Sequence, residues 1–184
     1  QAGIKADILA YGSTPPDRAD ELVGLDAILT VHDVASSEAI ISAATRRTGV
    51  TRVFVKADCG LARLGVAPQD LDGVISSLTG HQSIRLEGLY THLSAQHDPD
   101  RVTQQAQALS HATQIAARYG GTSLVLMLVS SRVIFEHPSL KLTAVDPGRV
   151  LFGLARHDWD VGHQYETVIA RFAARIVQVS QLSE

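Results

Sequence analysis

Cysteine, lysine and long apolar runs are what this sequence has least of. A single cysteine, Cys59, in 184 residues rules out an internal disulfide and fits a reducing compartment, so a cytoplasmic location is expected. Only three lysines occur, Lys5, Lys56 and Lys141, so chemistry that needs an amine has few candidates. No apolar run approaches the ~20 residues of a membrane helix and no signal peptide precedes the first strand, so no membrane partner is expected. A net charge of −3 without a basic cluster argues against a nucleic-acid partner. The glycine-rich G-x-G-x-x-G turn and the P-loop are both absent, which removes the usual nucleotide fingerprints. His92 and His97 stand at poor metal spacing and no other ligand cluster joins them, so no metal is expected. The chain begins at Gln1 rather than methionine, as a processed or excised product would.

What is present is a core-forming composition, 45% hydrophobic, arranged as short apolar runs alternating with helical patterns. The runs predict strands at Ala6–Tyr11, Leu25–Val31, Arg52–Ala57, Leu86–Thr91, Ser123–Val129 and Leu142–Asp146. Helices are expected near residues 15–23, 36–47, 68–79 and 99–119. Pro15 and Pro16 suit a first turn, and Ser36 or Ser37 can cap the second helix. Leu71, Val74, Ile75 and Leu78 form one buried stripe on the third, and Val102, Ala106, Leu109, Ala112 and Ala116 on the fourth. Gly120 and Gly121 stop it. Such alternation implies an α/β fold with a mostly parallel sheet. Two architectures compete: most of a (β/α)8 barrel of the TIM type, with about six of eight strands, or an open doubly wound sheet. After Gly153 the chain turns polar, and Thr167–Leu182 alternates in part. Residues 1–162 are therefore expected to form the barrel domain. Residues 163–184 read as a linker and the first strand of a C-terminal β domain.

The polar candidates sit where strands end, the place α/β folds put their chemistry. In VFVKADCGLARLGV, Lys56, Asp58 and Arg63 follow the third strand, with Gly60 and Gly65 freeing the backbone. His92 follows the fourth strand and Ser130 and Ser131 the fifth. Asp146, Gly148 and Arg149 follow the sixth, in a loop whose glycine lets an anion approach the backbone. Each has a plainer reading. Lys56 can snorkel from a strand end, His92 can be a hydrogen-bonded histidine, and Asp146 before Pro147 can be a turn residue. Cys59 reads as a small packed residue, since no base has a claim on it.

These segments, in this order, resemble the alanine racemase family, fold-type III enzymes that use pyridoxal 5'-phosphate (PLP). VKADCGLARLGV is similar to the family's K-x-D-T-G-M-x-R-x-G, and GLYTHLSAQHDPD to its G-x-x-T-H segment. SSRVIFEHP resembles its N-S-A-A segment, VDPGRVLFGL its V-R-P-G-I-x-x-Y-G, and TVIARFAARIVQVSQL the first strand of its C-terminal domain. The resemblance implies that Lys56 is the lysine that is often carbamylated and that it orients Arg63 toward the phenolic oxygen of PLP. It implies that His92 pairs with a catalytic tyrosine donated by the partner subunit. Ser131, with the backbone of Gly148 and Arg149, would hold the cofactor phosphate.

The departures carry as much information. The family's Schiff-base lysine lies on a strand upstream of the segment similar to QAGIKADILAYG, and none of the three lysines here fills that position. The resemblance therefore implies a fragment that lacks its first two strands and is inactive alone, and whose open edges make it marginally stable. Asp146 stands where the family places an arginine against the pyridine nitrogen. A carboxylate there favours the protonated ring and a stronger electron sink. The H-x-x-N-S motif reads Met127-Leu128-Val129-Ser130-Ser131, the family threonine is Cys59, and one of its glycines is Ala62. For the intact protein the expectation is an amino-acid racemase, most simply of alanine, working as a homodimer on a small amino acid. The alternatives are an inactive PLP-binding relative, a related PLP enzyme acting on another amino acid, or a metal-dependent barrel hydrolase.

Overall fold

The computed structural model describes residues 5–93, 98–121, 123–137, 140 and 143–152. The polar stretch after Gly153, the boundary at 162–163, the strand expected from Thr167, and Lys141 and His97 lie outside the described residues. Six strands form one sheet: β1 Leu9–Ala10, β2 Ile28–Val31, β3 Thr51–Lys56, β4 Ile84–Tyr90, β5 Val125–Ser130 and β6 Ala144–Asp146. Each strand pairs in parallel with the next one in sequence, in the order β1-β2-β3-β4-β5-β6. That order decides between the two architectures. A doubly wound sheet reverses its order at a switch point. Here nothing reverses, and crossovers of one hand put the helices on one side, leaving the other face free to curl inward. The fold is a curled half-barrel.

The helices are α1 Ala19–Val23, preceded by a 3-10 turn at Pro16–Arg18, then α2 Val34–Thr45, α3 Leu71–Thr79, α4 Pro99–Arg118, α5 Ser131–Glu136 and α6 Gly148–Leu151. Helix α2 starts earlier than its serines suggest. Asp33 is its cap, accepting from Ser36 N–H at 2.7 Å, while Ser36 Oγ accepts in return from Asp33 N–H at 3.1 Å. Ser36 therefore closes a capping box from inside the helix instead of capping it, and this corrects the expected Ser36 or Ser37 cap. In α3 the buried residues are Leu71, Val74, Ile75 and Leu78, the stripe the periodicity predicts. In α4 Asp98 caps the first turn, and Gly120 beyond the last turn adopts φ +86°. None of the described helices is long and apolar enough to cross a membrane.

Two apolar clusters follow from the alternation of side chains along each strand. The larger joins the helices to the outward strand residues, among them Leu29, Val31, Val53, Val55, Leu89 and Leu128. The smaller lines the concave face: Ile28, Phe54, Tyr90 and Met127, with Leu9 and Ala144 packed against them. Every one of the six strands gives it one residue, as a layer of a barrel interior requires. Strand β4 carries a bulge, since Val53 pairs with Leu86 but Phe54 with Gly88. That shift sets Gly88 under the Phe54 ring. A Cβ at Gly88 would lie 2.5–2.6 Å from the ring and 2.6 Å from the carbonyl oxygen of Val125. Gly88→Ala is accordingly expected to destabilise the domain by about 2 kcal/mol, read as a lower urea midpoint at unchanged slope.

Candidate active site

The loop after β3 is closed on itself. Val66 N–H donates to the Lys56 carbonyl at 2.7 Å and Asp58 N–H to the Val66 carbonyl at 3.0 Å, so Ala57 and Val66 bridge in parallel. Asp58 Oδ1 gathers the amides of Gly60, Leu61 and Ala62 at 3.0, 3.1 and 3.2 Å. Ala62, where the resemblance leads one to expect glycine, is held at φ +51°. This loop sends Lys56 inward and leaves Arg63 exposed. Lys56 is 2% exposed. Its ammonium lies 5.8 Å from the ring centre of Tyr11 and 5.6 Å from that of Tyr90. Burial lowers its pKa and the nearby charge of Arg63 lowers it further, while Asp58, Asp146 and Cys59 pull the other way. Lys56 and Arg63 are thus close enough to oppose each other as two cations.

Side chains from four strand ends meet over the concave face. Tyr11, just past β1, donates its hydroxyl to Asp146 Oδ2 at 2.9 Å, tying the first strand to the last. Burial and then the Asp146 charge push the Tyr11 phenol upward, so it remains a donor. Its ring stacks on Tyr90, centroids 4.8 Å apart. The Tyr90 hydroxyl accepts from Gly12 N–H at 3.1 Å and shares a hydrogen bond with Thr30 Oγ1 at 3.1 Å. His92 Nδ1 lies 3.7 Å from the same Asp146 Oδ2. The other carboxylate oxygen, Oδ1, is buried and has no hydrogen-bond partner among the described residues. A buried acceptor left without a donor is costly, which marks Oδ1 as facing a place where a donor belongs.

Ser131 opens α5 and is buried, and its Oγ accepts from Val150 N–H at 3.3 Å. That contact joins the end of β5 to α6, which begins at Gly148. Gly148 and Arg149 are exposed, and among the described residues no heavy atom beyond its chain neighbours and its own helix backbone lies within 4 Å of where a Gly148 Cβ would stand. The backbone there is open to a ligand. Cys59 is packed: its thiol receives the Thr91 hydroxyl at 2.9 Å and donates to the His92 carbonyl at 3.4 Å. Burial raises its pKa, so it stays a thiol.

Lys56, His92 and Asp146 therefore share one mouth, with Ser131 at the start of α5 and Gly148 and Arg149 at the start of α6. Arg63 makes no hydrogen bond or ion pair among the described residues. Sequence reasoning missed Tyr11 and Tyr90. Tyr11 follows a strand end as His92 does, and the same rule applied to every strand would have found it.

Residues 1–156 match the profile of the alanine racemase N-terminal domain. The chain belongs to this family. It is similar to the alanine racemase of Sorangium cellulosum, 32% identical over 160 residues, covering 84% of this chain and 42% of that protein. Similarity to the alanine racemase of Desulfovibrio desulfuricans is 30% over 184 residues, covering 98% of this chain and 49% of the relative. Among solved structures, alanine racemase from Corynebacterium glutamicum superposes with a TM-score of 0.76 at 28% identity, over 83% of this chain and 44% of that one. The chain thus spans about half the length of the alanine racemases it matches.

Proposed function

We propose that the protein carrying this chain is a cytoplasmic PLP-dependent amino-acid racemase that interconverts L- and D-alanine. The observation that carries the reading is the convergence of Lys56, His92 and Asp146 on one mouth in a chain of the alanine racemase family. The residues fit PLP at three points. Ser131 and the open backbone of Gly148 and Arg149 suit an anionic phosphate. Asp146 Oδ1, buried and unpartnered, suits a donor on the ring nitrogen. Arg63, exposed beside Lys56, suits the phenolic oxygen. When bound, PLP supplies an electron sink for the pair left behind as the α-proton departs.

The chain's own residues do the holding. Tyr11 fixes one oxygen of Asp146, and Asp146 stands against His92. Lys56, once carbamylated, becomes an anion that holds Arg63 by charge-assisted hydrogen bonds, turning their repulsion into attraction. The lysine that binds PLP covalently lies outside these 184 residues. So does the tyrosine opposite His92, contributed by the partner subunit of a homodimer. A second reading, a related PLP enzyme acting on another amino acid, is favoured by one feature. Asp146 is a carboxylate, which would favour the protonated form of the ring nitrogen of a bound PLP.

The test is incubation of the intact protein with PLP and L-alanine, followed by chiral product analysis. D-alanine as the main product supports the racemase. Pyruvate or an amine without D-alanine supports the second reading, and absence of any PLP absorbance band overturns both.

A further inference from the structure

His32 sits on the concave face without a part in the site above. It lies one residue past β2 and is only 7% exposed. It alternates with Ile28, which packs against the Phe54 and Tyr90 cluster, and with Thr30, which bonds the Tyr90 hydroxyl. Register pairs Val31 with Val55, so continuing it by one residue sets His32 beside Lys56. Its Nε2 stands 3.5 Å from Asp33 Oδ2. Its Nδ1 is buried with no hydrogen-bond partner among the described residues. Lys56 is buried more deeply still, at 2% exposed. Two buried bases side by side disfavour each other's charge. Burial lowers the pKa of both; for His32 the Asp33 charge pulls upward, the charge of Lys56 downward, and the Thr30 backbone carbonyl upward again.

We propose that His32 accepts the proton released when Lys56 takes up carbon dioxide, and that the imidazolium formed is the counter-ion of the carbamate. The inference rests on the reading of Lys56 as a carbamylated lysine. In the step, the Nζ lone pair forms a bond to the carbon of CO2. One C=O bonding pair becomes a carboxylate lone pair, and an N–H proton passes to Nδ1 of His32. Starting from the uncharged amine and the uncharged imidazole, the step turns two neutral bases and CO2 into one anion and one cation, so it adds no net charge to the site. That is why a second base beside the lysine matters: the released proton stays as a buried cation next to the carbamate, in addition to the exposed Arg63 nearby. Among the described residues, the other charged or titratable groups around the pair are Arg63, Asp58, Asp146, Cys59, Tyr11 and Tyr90 near Lys56, and Asp33 beside His32. Of these only Arg63 is a cation, and it is exposed.

The experiment is 13C NMR of the intact protein equilibrated with 13C-bicarbonate across a pH series. Wild type is expected to give a carbamate resonance that Lys56→Met abolishes. His32→Gln and His32→Phe, each verified as folded by circular dichroism, are expected to need about tenfold more bicarbonate, or higher, for half occupancy. Their occupancy also rises more steeply with pH, because the proton now goes to solvent. A carbamate with unchanged bicarbonate and pH dependence in either folded variant overturns the role of His32 and leaves the Lys56 reading standing. No carbamate in the wild type overturns both.

Discussion

Gly65→Ala is expected to destabilise the protein by about 4 kcal/mol, a large share of the 5–15 kcal/mol that holds a domain of this kind together. Two effects add. Gly65 has φ +145°, where side chains are strained, and a Cβ there would meet Asp58 N at 2.6 Å, Ala57 C at 2.8 Å and Asp58 Cα at 2.9 Å. All three atoms are backbone of the bridged loop, so no rotamer change relieves the clash. Gly60→Ala is the control. It shares a positive φ, +100°, but has nothing within 4 Å of the new Cβ, and about 1 kcal/mol is expected. Urea unfolding of both variants separates the cases. Equal, small losses would mean that the closed Ala57–Val66 loop is not what forbids a side chain at Gly65.

Asp146→Asn is expected to weaken PLP binding by the intact protein about 10- to 100-fold. This is the worth of a hydrogen bond to a charged group, about 1.5–3 kcal/mol. Asparagine keeps the shape and the Tyr11 contact but removes the charge that, in the proposed site, would face the ring nitrogen. Tyr11→Phe is expected to have a smaller effect, since it frees Asp146 Oδ2 without removing the carboxylate. Titration followed by absorbance gives both affinities. An Asp146→Asn variant that binds PLP as tightly as wild type would return Asp146 to the plainer role of a turn residue before Pro147.

The parts of this molecule legible in the sequence are those written in local pattern. Val53, Phe54 and Val55 announce β3 as an apolar run, and the stripe of α3 is readable because 3.6-residue periodicity survives for two turns. The α5 and α6 helices, six and four residues long, are too short to show any period, and both escaped the sequence reading. The cap of α2 was misplaced because Asp33 and Ser36 can each play the cap, and only the backbone of Asp33 decides which does. The bulge that brings Gly88 beneath Phe54 depends on pairing between strands, which no single stretch reveals.

The site divides in the same way. Strand ends pointed to Lys56, His92, Ser131 and Asp146, and the motif spacing named their family. The contact between Tyr11 and Asp146 joins residues 135 apart in sequence, and it exists only because the sheet curls. His32 escaped for a related reason. A histidine after an apolar run looks like any strand-end residue until its buried, unpartnered nitrogen and its place beside Lys56 are seen together.

The central proposal is that Lys56 supports the site by orienting Arg63, and that a lysine elsewhere in the intact protein would make the covalent bond to PLP. Borohydride reduction of the PLP-loaded intact protein, followed by peptide mapping, addresses it directly. The account predicts a pyridoxyl group on a lysine outside this chain, with Lys56 unlabelled. A pyridoxyl group on Lys56 would contradict it.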